Sequence, residues 1–301
     1  MIDLIEVGLV RVVAAFVSLL PMRTVRRLGA RLGHVAYALD RAHRNRALAN
    51  LAAAFPAKPE AERRALARTM FGHFGSLLLE LLRFGTYTQD EMRAATEFEG
   101  TEHVRLALQQ GKGALFFTGH FGYWEIHGIA SGLTIHPESP IAVLARPLDN
   151  ARLNAMLERI RTRTGNTVIY RNGAVRRILR ALAANRPVAI LIDQHLHSPD
   201  AIYVDFFRRP AATTSALAAL ALRTGAPVIP VFALPLPDGR YRLVYEHAVD
   251  PPTADTPDAV REFTQRCTDV LEMYVRRHPE LWLWMHRRWR ATDERRSEAD
   301  A

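Results

Sequence analysis

The stretch ALFFTGHFGYWEIHG, residues 114–128, decides how the rest of the chain is read. ALFFT is a short apolar run of the length of a buried strand. Gly119 lets the chain turn, and a helix starts around Gly122 or Tyr123. On one ideal helix His120 and Glu125, five positions apart, would point about 140° away from each other. With a strand ending and a helix beginning between them, His120 lies on a loop at the carboxyl edge of a sheet and Glu125 in the first helical turn. Open α/β sheets bind their ligands at that edge.

Similar short apolar runs follow at 141–145, 167–170, 188–192, 227–234 and 241–245, with helical stretches at 122–131, 150–164, 173–184 and 213–224. Strands alternating with helices of this length predict an α/β fold with a mostly parallel central sheet flanked by helices. PLPDGR (235–240) reads as the turn joining the last two strands. Residues 250–257 read as a loop before a final helix, and the charged tail from Asp293 as a frayed end. The first third reads helical, with apolar residues at helical spacing through Leu66, Met70, Leu77, Leu81 and Leu82. The expected organisation is a membrane-associating helix over residues 1–21 and a single α/β unit over 22–301, with a helical subregion at about 22–110.

The chain has 301 residues, 49% hydrophobic and 24% charged, enough for a sizeable core. Its one cysteine, Cys267, excludes an internal disulfide framework and a cysteine-rich zinc site. The net charge is +9, carried almost wholly by arginine, with Lys58 and Lys112 the only lysines. Such an excess points to a phosphate-bearing or acidic partner. Nucleic acid is disfavoured, because no stacking platform or helix-turn-helix pattern accompanies the charge.

The N-terminal segment, apolar from Ile2 to Leu20, carries Asp3, Glu6 and Arg11. It lacks the basic start and cleavage site of a secretory signal, and Arg11 sits where a spanning helix would be apolar. A helix lying in or dipping into a membrane surface fits the segment, and so does a buried first helix of a soluble fold. Arg23, Arg26, Arg27 and Arg31 follow at once, as beside anionic headgroups. Near the other end, LWLWMHRRWR (281–290) interleaves tryptophan with Arg287, Arg288 and Arg290. That pattern suits lipid phosphate, and core packing explains Trp282 and Trp284 equally well.

A loop histidine with a carboxylate on one ring nitrogen is a base, its tautomer held and its other nitrogen made more basic. His120 and Glu125 form such a dyad without a serine or cysteine nucleophile, which suits activation of a substrate hydroxyl against an ester or thioester. Helix-dipole preference accounts for Glu125 without any function, and helix capping accounts for His120. His127 lies further along the helix, turned away from Glu125. The zinc motif HExxH is absent. DQHLHSPD (193–200) groups His195 and His197 with two aspartates, as a polar surface loop does, and metal stays a minor alternative there. No cofactor is called for.

The segment GKGALFFTGHFGYWEIHG (111–128) resembles the H-x4-E/D signature of the bacterial late acyltransferases of lipid A biosynthesis, within the glycerolipid acyltransferase superfamily. Its companions carry the resemblance from about residue 40 onward: LARPLDN (144–150), LIDQ (191–194), VDFFRRPAATTSALAALALRTGAPVIPVF (204–232) and RRHPELWLWMHRRWR (276–290). Arg208 and Arg209 stand where the family often has glycine after FF. The resemblance implies transfer of a fatty acyl chain from acyl carrier protein to a hydroxyl of a lipid A precursor, at the cytoplasmic face of the inner membrane. His120 is then the general base and Glu125 the residue that orients it. Backbone donors for the oxyanion are expected at the following helix N-terminus. Arg146, Asp193, Arg287 and Arg288 are expected to bind substrate, with Arg146 on phosphate or the oxyanion and the C-terminal arginines on lipid phosphate. Read alone, Arg146 is a surface arginine and Asp193 a turn residue. An acyl-CoA-dependent acyltransferase for another glycolipid, such as a phosphatidylinositol mannoside, is the alternative enzyme. A basic membrane-binding protein is the alternative that is not an enzyme.

Overall fold

The structure is a computed structural model, and it describes residues 2–133, 140–196, 198, 201–252 and 258–290. His197, Asp200 and the tail from Asp293 lie outside the described residues, as does most of the loop before the last helix.

Five helices come first: α1 (Ile2–Ser18), α2 (Met22–Leu39), α3 (Arg41–Ala54), α4 (Glu60–Phe84) and α5 (Gln89–Ala94). Then come β1 (Thr96–Glu99), α6 (Thr101–Leu108), β2 (Ala114–Thr118), α7 (Trp124–Ala130), β3 (Ala142–Ala145), α8 (Ala151–Arg161), β4 (Thr167–Tyr170), α9 (Ala174–Ala183) and β5 (Pro187–Leu191). A hairpin of β6 (Ile202–Phe206) and β7 (Arg209–Thr213) precedes α10 (Ala216–Thr224), β8 (Val228–Pro235), β9 (Tyr241–Tyr245) and α11 (Ala259–Arg277).

Seven strands form one sheet in the order β1-β9-β8-β2-β5-β3-β4. Every neighbouring pair is parallel except β8–β9, which the 236–240 turn joins as a hairpin. β2 lies near the middle with all five residues buried. Its side chains alternate, Leu115 and Phe117 packing into the core on one face and Ala114 and Phe116 into the core on the other. A strand covered on both faces must be apolar throughout, which is why ALFFT shows no polar alternation.

The helical region is held against the sheet by close backbone contact and by one buried carboxylate. α2 crosses α4 at Gly29, Gly33 and Gly75, and a Cβ on Gly29 would lie 2.5 Å from the Ser76 Cα. Glu80 of α4 is fully buried and accepts hydrogen bonds from Arg26 at 3.0 and 2.8 Å, from the Tyr123 hydroxyl at 3.0 Å and from the Tyr241 hydroxyl at 2.5 Å. A buried charge persists only when paired in this way. The ring of donors ties α2 and α4 to β9 and to the residue just ahead of α7.

Two features differ from the sequence expectation. β1 and the β6–β7 hairpin were not foreseen, the hairpin lying where polar Asp205, Arg208 and Arg209 break the apolar pattern. Its two-residue turn places Phe207 and Arg208 at φ 55° and 57°. This is the left-handed conformation for which glycine is preferred, and it costs other residues about 1 kcal/mol or more each. Here the Phe207 amide donates to Glu272 at 2.5 Å, and its ring packs against Trp284 and under Arg276.

α1 packs one face on the molecule and turns the other outward. Val7 and Val17 are buried, with Val17 packing beside Leu79 of α4, whereas Leu9, Val12 and Phe16 are 64%, 68% and 56% exposed. Leu4, Ile5 and Leu19 continue this outward stripe. No described helix is long and apolar enough to cross a membrane.

Candidate active site

His120 lies where the carboxyl ends of β2 and β5 adjoin, on the loop between β2 and α7. The sequence places it there because ALFFT ends at Thr118 and α7 begins only at Trp124. Gly119 acts differently from expectation. It does not have a positive φ; its missing Cβ leaves room for Asp193, whose Oδ2 would lie 2.8 Å from a Cβ there. The residue that turns the chain is Gly122, at φ 57°, where any Cβ would overlap the Ala233 carbonyl.

The carboxylate that holds His120 is Asp193, just beyond β5, and not Glu125. His120 Nδ1 donates to Asp193 Oδ1 at 2.8 Å, and the His120 amide donates to Oδ2 at 2.7 Å. The Trp282 indole N–H donates to the same Oδ2 at 2.8 Å. Nε2 is thereby left as the accepting nitrogen, and the Gln194 side-chain amide donates to it at 3.2 Å. Asp193 is buried and is held down at about 2; burial opposes its charge, and the His120 ring and amide with the Trp282 indole outweigh burial. For His120 burial disfavours the charged ring, but Asp193, its hydrogen bond and the charge of Glu125 raise its pKa above the ordinary 6.5.

Glu125 is engaged elsewhere. Arg161 of α8 grips its carboxylate with two bonds, Nε to Oε2 at 2.9 Å and Nη2 to Oε1 at 2.5 Å. It reaches His120 only through space. Asp193 was expected to bind substrate; its hydrogen bonds go to His120 and Trp282 instead. The physical reason is register. β2 and β5 are adjacent parallel strands paired Thr118 to Leu191, so the first residues past their ends meet.

The loop is braced from behind. Residues 281–283 run antiparallel to it, with the Gly122 amide donating to Leu281 O at 2.9 Å and the Leu283 amide to His120 O at 3.1 Å. His73 of α4 donates from Nε2 to Gly122 O at 3.1 Å. Burial pushes His73 down to about 4, so the ring is neutral and suited to that single bond. The Tyr123 amide is bonded to Ala233 O. The backbone amides of His120, Gly122 and Tyr123 are therefore already engaged.

A groove of about 740 Å³ lies between α2, α3, α4 and residues 283–290, and Leu283 of its lining donates its amide to His120 O at 3.1 Å. Leu32, Phe71, Phe74 and Leu78 give it apolar walls, and His43 and Arg287 stand at its polar end. Phe74 packs on Trp124, whose ring lies 5.3 Å from His120. His286 of the groove wall is pushed down to about 4 by burial and accepts from the His195 amide at 3.0 Å.

The arginines divide. Arg287 is exposed on the groove rim. Arg146 has a side chain 82% exposed beside Asp149 at 3.6 Å, on the loop after β3 at the same sheet edge. Arg288 corrects the expectation that it meets lipid phosphate: it is 1% exposed and donates to Ala212 O at 2.7 Å and Thr213 Oγ1 at 2.5 Å. The three tryptophans of 281–290 are buried with it. His127 is buried against Ser131, pushed down to about 3 by burial, and takes no part. Among the described residues no cluster of three metal-ligating side chains occurs. Trp282 was missed as a site residue, and only its recurrence with LIDQ in one family pattern could have pointed to it.

The profile of the bacterial lipid A biosynthesis acyltransferases matches residues 4–291. The lipid A biosynthesis myristoyltransferase of Escherichia coli (strain K12) is 26% identical over 274 residues, 90% of this chain and 82% of that one. The lauroyltransferase of the same organism is 26% identical over 277 residues, 91% of this chain and 88% of that one. A phosphatidylinositol mannoside acyltransferase of Mycolicibacterium smegmatis is 28% identical over 203 residues, 65% of this chain and 64% of that one. The chain belongs to the bacterial lipid A biosynthesis acyltransferase family and is an acyltransferase.

Proposed function

We propose that this protein moves a fatty acyl chain from the thioester of acyl carrier protein to a hydroxyl of a lipid A precursor, at the cytoplasmic face of the inner membrane. The observation that carries the reading is His120, bonded to Asp193 through Nδ1 with Nε2 left as the accepting nitrogen, on a loop whose backbone is bonded to Leu283 of an apolar groove's lining. The groove takes the acyl chain. The acceptor hydroxyl displaces the Gln194 amide and gives its proton to Nε2 as its oxygen bonds to the thioester carbon. The carbonyl pair moves onto oxygen, then returns as the C–S bond breaks, and the departing thiolate takes the proton from His120. Asp193 stabilises the imidazolium in between, a contribution of the kind that makes a positioned base worth roughly 10²–10⁴-fold. Glu125, gripped by Arg161, adds charge at a distance, and Arg287 on the groove rim and Arg146 on the exposed loop after β3 are the arginines that meet acceptor phosphate.

The outward stripe of α1 and the exposed Arg27 and Arg31 of α2 support a helix lying on an anionic bilayer, with residues from 22 onward forming one α/β unit. The similarity to a phosphatidylinositol mannoside acyltransferase favours a second reading, with a mannosylated phosphoinositide as acceptor and acyl-CoA as donor. Mass spectrometry of products from the purified protein, offered each acceptor with each donor, separates the two. His120→Ala should lower turnover by about a thousandfold or more while the protein stays folded. Asp193→Asn should lower it comparably and move the acid limb of the kcat/KM profile to lower pH, because the raised His120 pKa falls when Asp193 loses its charge. Turnover of His120→Ala near the wild-type level would overturn the proposal.

A further inference from the structure

α8 buries none of its residues fully, and Ile160 packs half-buried against the core. Polar bonds along one side add to that contact, from positions 150, 154, 158 and 161, which three- and four-residue spacing brings to one face. At its start the Asn150 side-chain oxygen accepts from the amides of Arg152 and Leu153 at 3.0 and 3.2 Å. The Asn150 NH2 group donates across to α1, to Asp3 O at 3.2 Å and Glu6 Oε2 at 2.8 Å. One turn on, Asn154 accepts from the Leu148 amide at 3.0 Å and donates to the Tyr170 hydroxyl at 2.7 Å. Tyr170 donates in turn to Glu158 at 2.7 Å. At the far end Arg161 holds Glu125 beside the His120 loop.

Capping alone does not call for asparagine, since aspartate or serine would accept from the same amides. What asparagine adds is two donors, and here both point to α1. We propose that Asn150 is a positioning residue that fastens α1 to α8. A lipid surface engaging the outer face of α1 thereby sets the Arg146 loop and the Arg161–Glu125 pair at the catalytic edge. The inference rests on the reading of α1 as a bilayer-facing helix.

Asn150→Asp separates the two roles, because it keeps the cap but sets a carboxylate against Glu6. Glu6→Gln alone keeps an acceptor, and combined with Asn150→Asp it supplies a donor and restores the bond with reversed polarity. The readouts are amide hydrogen exchange over 146–161 and kcat/KM on acceptor in phosphatidylethanolamine–phosphatidylglycerol vesicles. Vesicles should slow exchange in the wild type and not in Asn150→Asp, whose kcat/KM should fall about tenfold, the worth of one hydrogen bond to a charged group. The double variant should recover both, and Glu6→Gln alone should change kcat/KM by less than about twofold. Vesicle-induced protection that persists in Asn150→Asp, or a double variant that stays impaired, would overturn the proposal. A wild type that shows the protection but transfers no acyl group would overturn the proposed function and leave the latch standing.

Discussion

Two regions of this chain mix bulky apolar residues with arginine, helix α1 and the segment 281–290, and the structure treats them oppositely. In α1 the stripe through Leu9, Val12 and Phe16 faces outward. In 281–290 all three tryptophans and Arg288 lie inside. The difference is one of partners. Arg288 finds a carbonyl and a hydroxyl at the end of the β6–β7 hairpin, and Trp282 finds a carboxylate, so burial leaves each Nη nitrogen and the indole N–H bonded, while the Arg288 Nε has no partner. The outer side chains of α1 have no second layer of protein over them. Composition is therefore a poor guide to which apolar, arginine-bearing segment meets lipid; the location of hydrogen-bond acceptors is the better one.

The sharpest way to break this contrast is Arg288→Ala. It should cost about 3 kcal/mol of stability, combining the cavity with the loss of two buried hydrogen bonds. Arg287→Ala, one residue away and exposed, should leave the melting temperature unchanged and raise KM for a phosphorylated acceptor a few-fold at most, by about the effect of an exposed charge contact. Thermal denaturation and initial rates of the two variants side by side decide the matter. Equal melting temperatures would mean that Arg288 is not the internal tie its hydrogen bonds indicate.

Phe16→Glu tests the other region. Replacing an outward aromatic by a carboxylate should lower partition onto anionic vesicles by about tenfold or more without changing the melting temperature. Flotation assays and denaturation curves read the two quantities separately. A drop in melting temperature with unchanged flotation would make α1 a core helix, as the alternative reading of its sequence allowed.

Trp282→Phe is the finest test, because it keeps an aromatic ring and removes one donor to Asp193. Turnover should fall by about tenfold through looser holding of His120. The linkage sign follows from Asp193, whose folded pKa lies at about 2 against an ordinary 3.8. A depressed carboxylate stabilises the fold above its unfolded pKa and loses that contribution as pH falls through the folded one. Losing the indole bond raises the folded value, so the variant should lose less stability than the wild type between pH 3.8 and about 2, starting from a lower level at neutral pH. Urea titrations at several pH values give both.

Much of the architecture was legible in local pattern. ALFFT had to be a strand buried on both faces, because five apolar residues in succession leave no side for water. The period of strands and helices after residue 110 required crossovers, and hence a parallel sheet. The placing of His120 on a carboxyl-edge loop followed from the same strand end. The β6–β7 hairpin was hidden because its turn uses Phe207 and Arg208 in a backbone conformation that ordinarily announces itself through glycine.

What the amino-acid sequence determined by itself was the fold class and the position of the loop histidine, both set by spacing over a few residues. Only the tertiary structure decided which carboxylate holds that histidine. Glu125 is five residues from His120 and Asp193 is 73 away, yet strand order places β5 beside β2, and Arg161 of α8 takes Glu125. Hydrogen bonds at a sheet edge depend on which strands adjoin, and adjacency is a property of the whole sheet that local spacing does not contain.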